Sequence, residues 1–336
     1  TSLSNPSPKD AWTGSIARSA ATTDTDTETL AAYVFDTLKF NEQWSLNMGL
    51  RYDDYETEQK AVSTAGVVTR PENKSHFWNY QLGLVFNPLP NGSIYAAWST
   101  SSNPSGETGG EGSDALNVNN QVLDPERNRN YEIGTKWDFF DERLGLTAAL
   151  FRTEKHNVPW TGRDVGETAD TLKGYGKQIV QGVELSVAGK VTDVWSVFGG
   201  VAFMKSERKH DPILDFYRKN ATSGAGDYGA ATSTVGDELA FTPKVTANLW
   251  STYDINEKLT IGGGIQYVGS SWLGRPDDAI RVIPNGSFGK LPAYFLAHAM
   301  VSYNVNDNVK LRLNIDNIFN ETHAVATNWN GTRATL

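Results

Sequence analysis

The stretch Trp44-Ser45-Leu46-Asn47-Met48-Gly49-Leu50-Arg51-Tyr52-Asp53 sets large apolar side chains at every second position, with small or polar ones between them. Side chains alternate across a strand, so such a segment has one oily face and one wet face. The alternation returns near the other end of the chain, in Val309-Lys310-Leu311-Arg312-Leu313-Asn314-Ile315-Asp316. Segments of about ten residues that carry Trp and Tyr near their ends and recur a dozen times fit an all-β, antiparallel, up-and-down transmembrane β-barrel. The oily faces then touch acyl chains and the wet faces enclose a lumen.

Composition agrees with that class. The 336 residues include 31 Gly, 10 Trp, 13 Tyr and 14 Phe, which favours strands and turns over helices. A mean hydropathy of −0.44 and the lack of any apolar run of about 18 residues exclude a transmembrane helix. They leave a barrel open, because only alternate residues of a barrel strand meet lipid. The absence of Cys excludes thiolate metal sites and disulfides. A net charge of −9 argues against non-specific nucleic-acid binding, and no nucleic-acid partner is expected. Thr1 to Asp10 have no basic start and no apolar core, so the chain reads as mature sequence or an internal piece.

Six short polar turns punctuate the chain: Lys39 to Gln43, Asn87 to Gly92, Phe140 to Arg143, Gly189 to Asp193, Asp254 to Lys258 and Asn304 to Asn308. They predict twelve strands at 27–40, 43–57, 75–88, 92–101, 128–140, 142–155, 174–189, 193–206, 237–253, 257–270, 291–304 and 308–317. Longer stretches rich in Gly, Ser, Thr, Asp and Asn join the pairs, at 59–74, 102–127, 156–173, 207–236, 271–290 and from 318 onward. Short turns alternating with long loops match the periplasmic and outer rims of a barrel. A turn spacing near that of kelch repeats also raises a propeller, but each period holds two long strands instead of four short ones.

The alternation assigns faces. Leu46, Met48, Leu50, Leu82, Leu84, Phe86, Leu144, Leu146, Leu150, Val183, Leu185, Val187, Ile261, Ile265, Leu311, Leu313 and Ile315 fall on the lipid side. Arg51, Asp53, Gln81, Glu132, Lys136, Glu184, Asn248, Gln266, Arg312 and Asn314 fall on the lumen side. Trp44, Trp137, Trp195, Tyr253 and Tyr303 sit beside the short turns, where an interfacial belt places rings that are part apolar and part polar; in a soluble sheet they would be core aromatics.

The run Leu123-Asp124-Pro125-Glu126-Arg127-Asn128-Arg129-Asn130-Tyr131-Glu132-Ile133-Gly134-Thr135-Lys136 resembles the LxPExxxxYExGxK signature of TonB-dependent outer-membrane receptors. The resemblance continues through Leu144 to Lys155, Gln181 to Leu185 and Leu311 to Asn320, and covers most of the chain from Leu30 to Asn320. Ala31 to Phe40 with Gly49 to Asp53 is similar to the ferric-siderophore receptors, most of all the catecholate branch. The resemblance implies a 22-stranded barrel filled by an N-terminal plug, in the outer membrane of a Gram-negative bacterium. It also implies binding of an iron chelate at the outer face and opening by TonB through the proton-motive force. No plug-like segment or TonB box precedes Thr1, and no final strand ending in an aromatic residue follows. The expectation is that residues 1–336 are a partial C-terminal barrel domain without its plug, holding strands 10 to 21 of the 22.

An anionic ferric catecholate asks for aromatic faces and cations at the mouth. Trp160 with Arg163, Tyr217 with Arg218, Trp272 with Arg275, and Arg127 with Arg129 are the candidates. The lumen charges Arg51, Glu132, Lys136, Glu184 and Arg312 are expected to bond the plug. The bland alternative is that loop aromatics pack one loop on another and the cations are merely solvated. His76, His156, His210, His298 and His323 lack metal-site spacing, and the acidic stretch Asp164 to Asp170 lacks an EF-hand pattern, so no metal and no cofactor are expected. No nucleophile elbow, P-loop or dinucleotide fingerprint is present, so no enzyme is expected. Energy-coupled uptake of a ferric siderophore leads, with a passive porin and a soluble β-rich binding domain as the alternatives.

Overall fold

The computed structural model describes residues 19–106, 116–162, 171–209, 238–239, 241–272, 290–327 and 334–335. Its strands are β1 (Thr22–Lys39), β2 (Trp44–Val62), β3 (Val68–Thr69), β4 (Glu72–Leu89), β5 (Gly92–Asn103), β6 (Glu126–Phe139), β7 (Leu144–Gly162), β8 (Thr171–Lys190) and β9 (Trp195–Lys209). They continue with β10 (Val245–Asp254), β11 (Leu259–Val268), β12 (Ser271–Trp272), β13 (Lys290–Leu291), β14 (Tyr294–Asn306), β15 (Val309–Ile315), β16 (Ala326–Thr327) and β17 (Ala334–Thr335). One antiparallel sheet runs β1-β2-β4-β5-β6-β7-β8-β9-β10-β11-β14-β15, each strand beside its successor, with β3 pairing the end of β2. The short pairs β12-β13 and β16-β17 stand apart from it.

The twelve strands of that path coincide with the twelve read from the sequence, and their limits differ for local reasons. The ninth and eleventh begin late, at Val245 and Tyr294, just after Pro243 and Pro292, which have no N–H to give a ladder. Phe241 also takes a left-handed φ of 52°, which no extended strand tolerates. Elsewhere on the same rim the ladders run further than expected, as between β7 and β8, where Gly162 still pairs with Thr171.

Three short turns are closed by the same device. The Oδ1 of Asn41 accepts the N–H groups of Gln43 and Trp44, Asn256 Oδ1 those of Lys258 and Leu259, and Asn306 Oδ1 those of Asn308 and Val309. An Asx turn of this kind satisfies two donors at the point where the chain reverses. Replacing Asn256 by Ala is expected to cost about 1 kcal/mol, read as a lower urea midpoint in lipid vesicles with an unchanged slope.

Register settles the faces. Leu50 lies opposite Val34 and Tyr80, Leu150 opposite Ile133 and Val183, and Leu313 opposite Val301, so apolar residues meet apolar residues along these rows. No second layer of described residues covers them: Leu150 is 55% exposed, Leu185 45% and Leu313 61%. At about 25 cal/mol per Å² of apolar surface, a water-soluble sheet would lose far too much by leaving such a face wet, so lipid is the solvent it is built for.

All five aromatics flagged beside the short turns stand on this face. Trp44 stacks on Phe86 at 4.5 Å, Trp195 lies opposite Tyr253, Trp137 covers Gly92, and Tyr303 sits between Leu259 and Leu311. A second belt, unnoticed in the sequence, marks the other boundary. There Tyr52 meets Trp78 at 4.9 Å, Tyr80 meets Trp98 at 6.1 Å, and Trp98 faces Tyr131. Eight residues separate Trp44 from Tyr52. At about 3.4 Å per residue and about 40° of tilt, that is roughly 20 Å of membrane depth, close to the apolar band of an outer-membrane barrel.

Candidate functional site: the wet face of the sheet

The opposite face carries the polar and charged side chains of the alternation. Arg51, Glu132, Lys136, Glu184 and Arg312 all lie on it, as alternation requires: Glu132 is in register with Ala97 and Phe151, Glu184 with Ala149, and Arg312 with Ser302. Three of the five converge. Glu132, Lys136 and Glu184 line one hollow of about 570 Å³ together with Tyr95, Asn248 and Gln266.

Tyr95 organises this hollow. Its hydroxyl donates to Oε1 of Glu132, and Lys136 Nζ stands 5.5 Å from its ring centroid, within cation–π range. The ring can lie along the wall because Gly134 is beneath it; a Cβ at that position would come 2.5 Å from the Tyr95 hydroxyl oxygen. Gly134→Val is therefore expected to lift the ring and to destabilise the protein by about 1–3 kcal/mol, measured from its urea midpoint. Tyr95 was missed in the sequence, although its alternation with Ile94 and Ala96 already places it on the lumen side.

The remaining two lumen charges stand elsewhere on the same face. Arg51 is clamped by Asp53, with Nε at 2.9 Å from both carboxylate oxygens and a second guanidinium nitrogen at 2.6 Å from Oδ1. Nearer the rim, the segment 116–124 folds inward over β2 and β4. Leu116 is buried, and Asn73 Nδ2 donates to the Gln121 carbonyl at 2.8 Å. This explains why Tyr55, Thr57, Asn73 and Ser75 are buried on a face that is otherwise wet.

The loop candidates are placed differently from one another. Trp272 lies in the short β12-β13 pair, and its indole N–H donates to Oε2 of Glu238 at 2.8 Å. Trp160 belongs to the ladder between β7 and β8, opposite Lys173. Arg163, Tyr217, Arg218 and Arg275, like the acidic stretch 164–170, lie outside the described residues. Arg127 and Arg129 do not project into the mouth. They are in register with His156 and Glu154, on the same side of β6 as Tyr131 and Ile133, and so stand on the outer wall beyond the second aromatic belt. Their odd numbers fix this, since Glu132 and Lys136 of the same strand face the lumen.

One trio of carboxylates occurs among the described residues, Glu56, Glu58 and Glu72. Lys74 Nζ already stands 2.7 Å from both Glu56 and Glu72, so an ammonium supplies the positive charge there.

Residues 2–318 match the protein family described as TonB dependent receptor-like, beta-barrel. The chain is 37% identical over 303 residues to the probable TonB-dependent siderophore receptor PiuA of Acinetobacter baumannii, an alignment that covers 88% of this chain and 37% of that protein. It is 31% identical over 343 residues to the catecholate siderophore receptor Fiu of Escherichia coli K12, covering 95% of this chain and 41% of that protein. The crystal structure of the A. baumannii receptor PiuA superposes with a TM-score of 0.77 at 33% identity, over 93% of this chain and 42% of that one. The chain thus spans about two fifths of the length of these relatives.

Proposed function

The chain belongs to the TonB-dependent receptor-like β-barrel family of the Gram-negative outer membrane, and from that premise we propose that it is the C-terminal part of the barrel of a receptor that takes up a ferric siderophore at the expense of the proton-motive force. The family consists of transport receptors, not enzymes. The observation that carries the proposal is the lumen hollow, in which Tyr95, Glu132, Lys136 and Glu184 gather hydrogen-bonding and charged groups on the wall of a passage. Such a cluster suits a water-lined wall as well as a seated plug, and the likeness to siderophore receptors favours the plug, which supplies it with partners. Likeness to the E. coli receptor Fiu favours a catecholate chelate, whose iron complex is an anion with aromatic faces. Trp272, Trp160 and the candidates in the outer loops, Arg163, Tyr217, Arg218 and Arg275, then meet the chelate at the mouth.

The test is uptake of radioactive iron by cells whose only iron receptor is the full-length protein. Iron presented as a catecholate complex is expected to accumulate, and an uncoupler or the loss of TonB is expected to stop it. Uptake that continues after the uncoupler would identify a passive pore. Uptake of a hydroxamate complex in preference to a catecholate would leave the receptor reading intact and overturn the catecholate assignment.

A further inference from the structure

We propose that the outer wall across β6, β7 and β8 is a binding site for the phosphate-bearing headgroup of an outer-leaflet lipid, a site that rests on the membrane-spanning reading given above. Position is the first reason. Arg129 and Arg127 continue the lipid-facing row of Ile133 and Tyr131, two and four residues beyond the belt, or about 7 and 13 Å along the strand. The polar zone of a bilayer adds about 5–8 Å to each side of the hydrocarbon, so with strand tilt these guanidinium groups stand at headgroup height.

Charge is the second reason. Across the strands Arg129 faces Glu154, Arg152 faces Tyr131 and Gln181, and Lys177 faces His156. The one carboxylate of this group, Glu154, is already held by Arg152 at 2.7 Å and Lys177 at 2.9 Å. Arg127 and Arg129 are both exposed, and neither forms an ion pair with any described carboxylate. Among the described residues of β6, β7 and β8 on this face, four permanent cations thus share one acid, in a chain of net charge −9. On the same face and at similar height, β2 and β4 carry Glu56, Glu58 and Glu72 instead, so the excess positive charge belongs to one sector of the wall. Arginine forks match phosphate oxygens two at a time, and Tyr131 beneath them suits the boundary where the acyl chains begin.

The experiment uses the full-length receptor in an uncharged detergent, with dioleoylphosphatidic acid, a phosphomonoester lipid, as the probe and native mass spectrometry to count bound lipid. The wild type is expected to bind the probe in preference to phosphatidylcholine, and Arg127→Ala/Arg129→Ala to bind it about 20-fold more weakly. Glu56→Ala/Glu58→Ala, in the acidic sector, is expected to bind as the wild type does. Equal binding by the arginine variant, or full displacement of the lipid by inorganic phosphate, would overturn the site while leaving the barrel standing. Loss of heat-modifiable migration by the wild type itself would strike the barrel reading, and the site with it.

Discussion

Arginine in place of Leu185 is expected to cost the full-length receptor about 2–4 kcal/mol and to deplete the inserted, heat-modifiable form, because the side chain enters the hydrocarbon near mid-depth. Leu185 lies opposite Ala148 and Val201, midway between the two aromatic belts of the lipid face. A lumen position one residue further along supplies the contrast. Ser186, which lines the polar hollow, is expected to accept Lys within about 0.5 kcal/mol. The reverse order of sensitivity would mean that Leu185 packs into a protein core and that the apolar face is no membrane surface.

The second large effect is expected in the lumen. If the hollow seats a plug, Glu132→Gln with Glu184→Gln removes two negative charges from the face that receives it, and only the Tyr95 hydroxyl bonds either of them within the described wall. Breaking a desolvated, hydrogen-bonded charge contact costs about 2–5 kcal/mol, so the double variant should loosen the plug while the barrel remains folded. In planar bilayers with urea at a concentration that leaves the wild type closed, the variant is expected to show open-channel conductance. Continued closure would remove these two carboxylates from the plug interface.

The architecture was legible because alternation alone dictates it. Leu46, Met48 and Leu50 against Asn47, Gly49 and Arg51 give the face, and Asn41, Asn256 and Asn306 give the reversals, all from local chemistry. Strand starts were harder to place wherever a proline intervened, as at Pro243 and Pro292, since apolar residues on both sides of each continue the pattern that the proline interrupts. Arg127 and Arg129 show a different failure. Their residue type suggested an anionic ligand at the mouth, but their parity with Tyr131 and Ile133 set them on the outer wall, and parity is the stronger physical constraint. The second belt escaped notice for a similar reason: Tyr52, Trp78, Trp98 and Tyr131 are far apart in sequence and become neighbours only once the register is known.

Spin labels resolve the central claim most directly, and the absence of Cys from this chain makes it convenient to label. Single cysteines placed one at a time from 181 to 189 in β8 of the reconstituted receptor would each carry a nitroxide, with collision rates measured against oxygen and against a water-soluble nickel complex. Access to oxygen is predicted to peak at Val183, Leu185 and Val187, and to fall at Glu184 and Ser186, where the nickel complex or contact with other parts of the receptor takes over. Equal access along the whole strand, or oxygen maxima at 184 and 186, would contradict it.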